Sequence, residues 1–246
     1  MNVSAALLRR LPAVSLGELE QTAALMQRVD RKYLVPLPAL EDALARISDD
    51  CRALEINGLR TFRYRSVYLD SADFRLYRQH IQGRRRRFKV RTRTYIDSGG
   101  CHLEVKSKGP RGETLKERIP HAQDATDLPE ASRTFVSSII GMDAAALVPV
   151  VQTDYRRSTL VYGDHRITLD TDLLFRAGGR RARGPAEVLV ETKSTGRESA
   201  FDRMLVHHGI RPHRVSKYCL AASLLYPHLP DNDFRRLKRR CVDATA

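Results

Sequence analysis

Cysteine is sparse and scattered: Cys51, Cys101, Cys219 and Cys241 lie far apart. That spacing gives neither a paired metal-ligand motif nor a disulfide framework, and reduced thiols are the expectation. No apolar run approaches the roughly 20 residues needed to cross a bilayer, so no integral membrane segment is expected. The stretch from Met1 to Leu11 places Arg9-Arg10 after its apolar residues. A secretory signal puts its positive charges first, so the expected location is cytoplasmic. Absent too are Gly-x-x-x-x-Gly-Lys, His-Glu-x-x-His and Gly-x-Ser-x-Gly. Any nucleotide chemistry must therefore proceed without a P-loop. Acidic residues are the last shortage, 29 Asp and Glu against 43 Lys and Arg.

The remainder is ordinary for a folded chain. Of 246 residues 42% are hydrophobic, with a mean hydropathy of -0.41, which excludes wholesale disorder. No linker-like stretch interrupts the sequence, so a single domain over 1–246 is expected. The formal net charge of +14 favours a polyanionic partner: nucleic acid, an anionic membrane face or a phosphorylated small molecule.

A helix is expected over 15–26, with Ser15 and Glu18 at capping-box spacing, and a second over 38–47. A short strand, 31–35, is closed by Pro36. From Thr61 the dominant period is two, predicting strands at 61–70, 86–96, 101–107, 115–119, 151–162, 165–172 and 186–194. Turns are signalled at Gly99-Gly100, Gly109-Pro110 and Gly163-Asp164. Helices resume at 129–140, 199–208 and 216–225. The class is α+β, dominated by antiparallel strands. One echo recurs: Leu69-Asp70-Ser71 precedes Glu104-x-Lys106-Ser107-x-Gly109, and Leu169-Asp170-Thr171 precedes Glu191-x-Lys193-Ser194-x-Gly196. Chance similarity of strand ends and two related halves of one barrel both account for it.

Residues two apart on a strand share a face. Lys89, Arg91 and Arg93 therefore point one way, and Val90, Thr92 and Thr94 the other. Glu104 with Lys106, Lys116 with Arg118, Tyr155 with Arg157, Arg166 with Thr168 and Asp170, and Glu191 with Lys193 repeat the pattern. Each face alone could simply meet water. Together they present Arg or Lys at two-residue spacing with isolated glutamates. Converging on a lumen, such like charges would repel unless a dense anion neutralised them. Triphosphate or polyphosphate fits, and the embedded carboxylates suggest Mg2+ or Mn2+.

The ordered set Arg28-x-Asp30-Arg31-Lys32-Tyr33, Tyr68-Leu69-Asp70, Lys89-x-Arg91-x-Arg93, Glu104-x-Lys106, Lys116-x-Arg118, Tyr155-x-Arg157, Arg166-x-x-x-Asp170, Glu191-x-Lys193 and Ser216-Lys217-Tyr218 resembles the VTC domain. This is the catalytic domain of vacuolar transporter chaperone polyphosphate polymerases, in the triphosphate tunnel metalloenzyme superfamily. The resemblance covers roughly 15–226. It implies an antiparallel eight-stranded β tunnel barrel with flanking helices and a basic lumen. It also implies phosphate-binding roles for Lys32, Arg91, Arg93, Lys106, Lys116, Arg157, Arg166 and Lys217, polar phosphate contacts from Tyr155 and Ser216, and a metal-binding Glu191. Lys89 and Lys193 join the substrate set by sharing these faces, and Asp30 and Glu104 are the further metal candidates. The superfamily opens with Glu-x-Glu-x-Lys, whereas Arg28-x-Asp30-x-Lys32 keeps one acid. The phosphate-sensing and membrane segments of the eukaryotic vacuolar proteins are not expected in a chain of this length.

The resulting expectation is an enzyme of phosphoanhydride chemistry, most specifically a polyphosphate polymerase using ATP, with Arg91, Arg93, Lys106, Arg157 and Lys217 catalytic. Two alternatives stay open: a triphosphate hydrolase, in which Glu104, Asp170 or a neighbour would orient water, and a non-catalytic polyphosphate or nucleic-acid binding module. Arg84 to Arg87 reads as a solvated turn between strands, and Arg235 to Arg240 as a frayed basic tail that could touch nucleic acid. His207-His208 is not a chelating pair, because adjacent helical residues face apart.

Overall fold

The computed structural model describes residues 3, 5–23, 29–108, 114–122, 127–194 and 198–243. From the N-terminus the elements are α1 (Ala5–Arg10), β1 (Ala13–Val14), α2 (Leu16–Ala23), β2 (Val29–Val35), α3 (Leu37–Ala45) and β3 (Cys51–Leu54). Next come β4 (Phe62–Ser71), α4 (Arg75–Ile81), β5 (Phe88–Tyr95), β6 (Cys101–Lys108), β7 (Thr114–Pro120) and α5 (Glu130–Ile140). The rest are β8 (Leu147–Tyr162), β9 (His165–Ala177), β10 (Arg180–Arg183), β11 (Val188–Ser194), α6 (Ala200–His207), α7 (Lys217–Leu225), α8 (Arg235–Lys238) and β12 (Val242–Asp243).

The predicted class is found: α+β, with eight strands following one another in the order β12-β10-β9-β8-β4-β5-β6-β7. Strand β11 lies off this path between β9 and β2, and β3 joins β8 to β1. Two compact units divide the chain. The first comprises Met1–Arg63, Tyr155–Leu173 and Pro185–Val215, the second Tyr64–Asp154, Leu174–Gly184 and Ser216–Ala246.

Local chemistry sets the boundaries. Ser15 and Glu18 form the expected capping box: Ser15 N–H donates to Glu18 at 2.9 Å, and Glu18 N–H donates to the Ser15 hydroxyl at 3.3 Å. Pro36 stops β2, and Pro38 sits in the first turn of α3, where its missing N–H has no intrahelical partner to lose. Gly99 and Gly100, both at positive φ, turn β5 into β6. The end of the helix expected to reach Met26, the Gly109-Pro110 turn, Arg28 and Thr195-Gly196 lie outside the described residues.

In the first unit Val188 and Val190 of β11 and Ile167 and Leu169 of β9 pack against Leu40 and Leu44 of α3 and Phe201 and Leu205 of α6. In the second, Val90, Leu103 and Val105 meet Val136 and Ile140 of α5. Burying such side chains yields about 1.5–3 kcal/mol each, and it fixes which strand face is left for polar residues. Among the described residues, no helix is long and apolar enough to cross a membrane.

Three local expectations are corrected. Arg84 to Arg87 lead from helix α4, not from a strand, into β5, where Arg86 stacks over Phe88 at 5.6 Å. The basic C-terminal stretch is not frayed: it begins α8, and Lys238 donates to Asp231 at 2.7 Å and to Ser223 O at 2.9 Å. Strand β7 is shallower than its alternation suggests: only Ile119 is partly buried, against the core of the second unit, while Lys116 reaches Glu104 from the other face.

Candidate functional site

The charged faces assemble on a three-stranded antiparallel ribbon in each unit, each built around a central Glu-x-Lys-Ser strand. In the second unit that strand is β6, between β5 and β7. Register places Arg91, Glu104 and Arg118 in one row, and Lys89, Lys106 and Lys116 in the next. In the first unit the central strand is β11, between β9 and β2. There Glu191 lies between Thr168 and Lys32, and Lys193 between Arg166 and Asp30. The Glu-x-Lys-Ser echo thus marks equivalent centres of two ribbons. The Leu-Asp echo does not, since Asp70 and Asp170 have different tasks.

Glu104 is fully buried, yet it is charged. Arg91 contacts one of its oxygens through Nε at 2.8 Å and Nη2 at 2.6 Å, Lys116 Nζ reaches the other at 2.8 Å, and Arg93 stands at 3.9 Å. Burial pushes its carboxyl upward, but the three cations outweigh burial and hold it well below the usual carboxylate range. One carboxylate thereby supports a cluster that would otherwise repel itself. Burial in turn lowers the Lys116 ammonium, while Glu104 opposes that shift. Surrounded by cations, Glu104 is an ion-pair centre and has the wrong company for a metal ligand.

Aromatic rings lie under the arginines. Arg91 donates to Tyr68 Oη at 3.1 Å and lies over its ring, while Arg93 lies over Tyr64. Tyr68 stacks on Tyr218 of α7 with centroids 4.9 Å apart. Tyr218 donates its hydroxyl to Asp70, which also accepts from the amides of Ser71, Leu76 and Tyr77. Asp70 therefore caps α4 and tethers the first turn of α7. Ser216 is the N-cap of α7, accepting from Cys219 N–H at 3.3 Å, with Lys217 next to it.

In the first unit Lys193 Nζ stands between two carboxylates, 2.8 Å from Glu191 and 3.1 Å from Asp30. Lys32 Nζ donates to Val215 O at 3.0 Å. Arg157 grips the buried Asp170 with two parallel bonds, 2.6 Å and 2.7 Å, and its guanidinium lies 5.4 Å from the Tyr155 ring centre. Behind the ribbon, Asp202 accepts from Tyr33 at 2.8 Å, Thr192 at 2.6 Å, and Ser199 through backbone and hydroxyl, both at 2.8 Å. Burial raises the Asp202 carboxyl, but these hydrogen bonds prevail and lower it.

Of the residues singled out from the sequence, Lys89, Arg91, Arg93, Glu104, Lys106 and Lys116 thus meet on one ribbon, with Ser216 and Lys217 in the same unit on α7. Lys32, Asp30, Arg166, Glu191 and Lys193 meet on the other, with Tyr155 and Arg157 in that unit on β8. Tyr68, Asp170 and Asp202 had no assigned part in binding. Asp202 is three residues past Ser199, a legible capping signal; its bonds to Tyr33 and Thr192 left no trace in sequence. Among the described residues, no group of three or more His, Cys, Asp or Glu could hold a metal ion.

A family model described as VTC domain matches residues 27–226. No curated protein matches the chain. Among solved structures, a candidate adenylate cyclase from Bacillus halodurans has a TM-score of 0.54 at 15% identity, covering 78% of this chain and 94% of that one. A candidate adenylyl cyclase from Hippeastrum, described as having a dominant triphosphatase activity, has a TM-score of 0.53 at 18% identity, covering 80% and 96%. At these identities the likeness is one of fold.

Proposed function

The chain belongs to the VTC domain family, and from that premise we propose that it is a metal-dependent enzyme of phosphoanhydride chemistry, a polyphosphate polymerase that takes ATP as donor. The observation that carries the reading is the row Lys89, Lys106 and Lys116, three ammonium groups in register across three neighbouring strands. Like charges directly opposite one another destabilise a sheet. A chain of phosphoryl groups relieves that repulsion, since each unit offers oxygens to several Lys and Arg donors at once.

The proposed division of labour follows from charge. Arg91, Arg93, Lys106 and Lys116 bind and orient phosphate oxygens in the second unit; Lys32, Arg157, Arg166 and Lys193 do so in the first, with Lys217 and Ser216 at the start of α7. Asp170 fixes the plane of the Arg157 guanidinium, and Tyr68 that of Arg91. Positioning and neutralisation then provide most of the rate, as expected for phosphoryl transfer.

Glu191 and Asp30 suit a divalent cation. The Lys193 ammonium already stands between their oxygens, and two carboxylates completed by substrate phosphate are a donor set for Mg2+ or Mn2+. When bound, the metal neutralises charge on the phosphate oxygens.

The state of Glu104 and Asp170 supports polymer growth over hydrolysis. A hydrolase must orient water with a group able to accept a proton. Glu104 is held far below that range by three cations, and Asp170 is gripped by Arg157. An incoming phosphate terminus is already ionised and needs no such base. The test is product analysis of the purified protein with ATP and Mn2+: long chains on a gel support the proposal. Free phosphate alone selects triphosphate hydrolysis, and neither product selects a non-catalytic binding module.

A further inference from the structure

The opposite face of β4 and β5 carries a second basic site. Thr92 and Thr94 alternate with Arg91 and Arg93, and so point away from the phosphate-binding ribbon face. Register sets Val67 opposite Thr92 and Arg65 opposite Thr94. These four line a cavity of about 830 Å³ in the second unit, together with Arg176, Arg180 and Arg181 from the β9–β10 hairpin.

That hairpin is built for closeness. Ala177 pairs with Arg180 across the two-residue turn Gly178-Gly179, and both glycines have positive φ, 50° and 79°. Two positive φ values define the tight turn that suits paired strands. A methyl group at either glycine would meet nothing within 4 Å, so the turn backbone is open to an incoming group.

Charge here is lopsided. Arg181 lies directly opposite Arg176, a like-charge pair that costs stability. Asp154 serves both Arg65, at 3.1 Å, and Arg176, and no Asp or Glu lines the cavity. Four arginines line the cavity; Arg65 and Arg176 pair with Asp154 and Arg180 donates to Leu225 O at 2.7 Å, an arrangement suited to a phosphate-bearing ligand. The remaining wall is apolar: Val67, Val150, Val151 and Pro149, beside Tyr226, whose hydroxyl donates to Val150 O at 2.7 Å. Inorganic phosphate would leave that wall unused. A phosphate ester with a flat apolar group would use both halves.

We propose that this cavity is a second ligand site, distinct from the ribbon faces, for a nucleoside phosphate: its phosphates on Arg65, Arg176 and Arg181 and its base against Val67, Val150 and Tyr226. The proposal does not depend on the polymerase reading. Its test is calorimetric titration of ADP into the full chain, alone and after saturation with tripolyphosphate.

ADP is expected to bind with nearly the same affinity in both cases, and pyrophosphate at least tenfold more weakly than ADP. Arg181→Glu, an exposed position, and Thr92→Phe, which fills the cavity, should each weaken ADP at least tenfold while far-ultraviolet circular dichroism stays unchanged. The proposal is overturned if tripolyphosphate saturation abolishes ADP binding, if pyrophosphate matches ADP, or if neither folded variant loses affinity. Failure of tripolyphosphate itself to bind would count against the polymerase reading and leave the variant comparison intact.

Discussion

Arg91 and Glu104 face each other in register across β5 and β6, and the guanidinium closes on one carboxylate oxygen through both Nε and Nη2. The pair is buried, so its two members are not interchangeable with neutral residues one at a time. Removing Arg91 leaves the buried carboxylate with Lys116 at 2.8 Å and Arg93 at 3.9 Å, and removing Glu104 strands three cations. A contiguous row of arginines and lysines on a strand suggests repulsion waiting for a ligand, and alanine at Arg91 would then relieve the fold. The geometry reverses that expectation for Arg91.

Glu104→Gln should cost about 3–5 kcal/mol of stability, the usual penalty for breaking a buried pair by removing one partner. Tripolyphosphate should restore a larger fraction of the melting temperature in this variant than it adds to the parent chain, because it replaces the lost counter-charge. Urea unfolding with and without the anion measures both. An unchanged midpoint in Glu104→Gln would show that the cluster does not need its carboxylate.

Lys106→Gln should do the opposite in the absence of ligand. Lys106 is the middle member of the row with Lys89 and Lys116, and with Lys116 already paired to Glu104 the repulsion its removal relieves is modest. The expected outcome is a melting temperature equal to or slightly above that of the parent, together with tripolyphosphate affinity at least tenfold lower by calorimetry. Parent-like affinity would remove Lys106 from the binding face.

Glu191→Gln separates a metal ligand from a structural partner of Lys193. As a ligand, Glu191 should be needed for Mn2+ binding measured directly by titration, while tripolyphosphate binding without metal survives. As an ion-pair partner only, it should be needed for stability, and the Mn2+ isotherm should not move. The second result would withdraw the metal site.

His80 reports on the second ribbon. Its Nε2 donates to Phe88 O at 3.0 Å, and burial first, then the nearby Lys89, push its pKa down to about 3. An unfolded histidine titrates near 6.5. Between those values the unfolded chain binds a proton that the folded chain refuses, so stability should fall as pH drops from about 6.5 toward 3. His80→Gln should flatten that slope. A polyanion at Lys89 should raise the His80 pKa, visible as a shifted titration of its ring protons in NMR. A titration curve that ignores tripolyphosphate would place the anion elsewhere.

The strands were legible because their alternation is local. Val90, Thr92 and Thr94 interleaved with Lys89, Arg91 and Arg93 mark β5 without knowledge of its neighbours, and Ser15 with Glu18 marks the start of α2. What escaped depends on distant partners. Helix α4 follows Phe74 in a left-handed conformation at φ 60°, and its end is capped by Asp70 from outside the helix. No short-range pattern announces such a start. In the sequence Arg180 to Arg183 reads as a polar run, and it becomes strand β10 only by pairing opposite Arg176 and Phe175. In the candidate site, the identities of the cations were readable, and their counter-charges were not. The sequence shows Glu104 beside Lys106 on the same strand, while its ion-pair partners Arg91, Arg93 and Lys116 come from β5 and β7.

The bond from Tyr218 to Asp70 bears on how short a working fragment can be. A chain cut after Val215 would lose Ser216 and Lys217, and with them the ring that stacks on Tyr68 and the hydroxyl that binds Asp70. Burial already raises the Asp70 carboxyl, and without Tyr218 it would keep the Ser71 amide and hydroxyl and the Leu76 and Tyr77 amides of α4. Arg91 would then rest on a tyrosine bare on its far side. Any minimal version of the second unit must therefore extend through α7 to Leu225, and a graft of the ribbon alone would carry the charges without their footing.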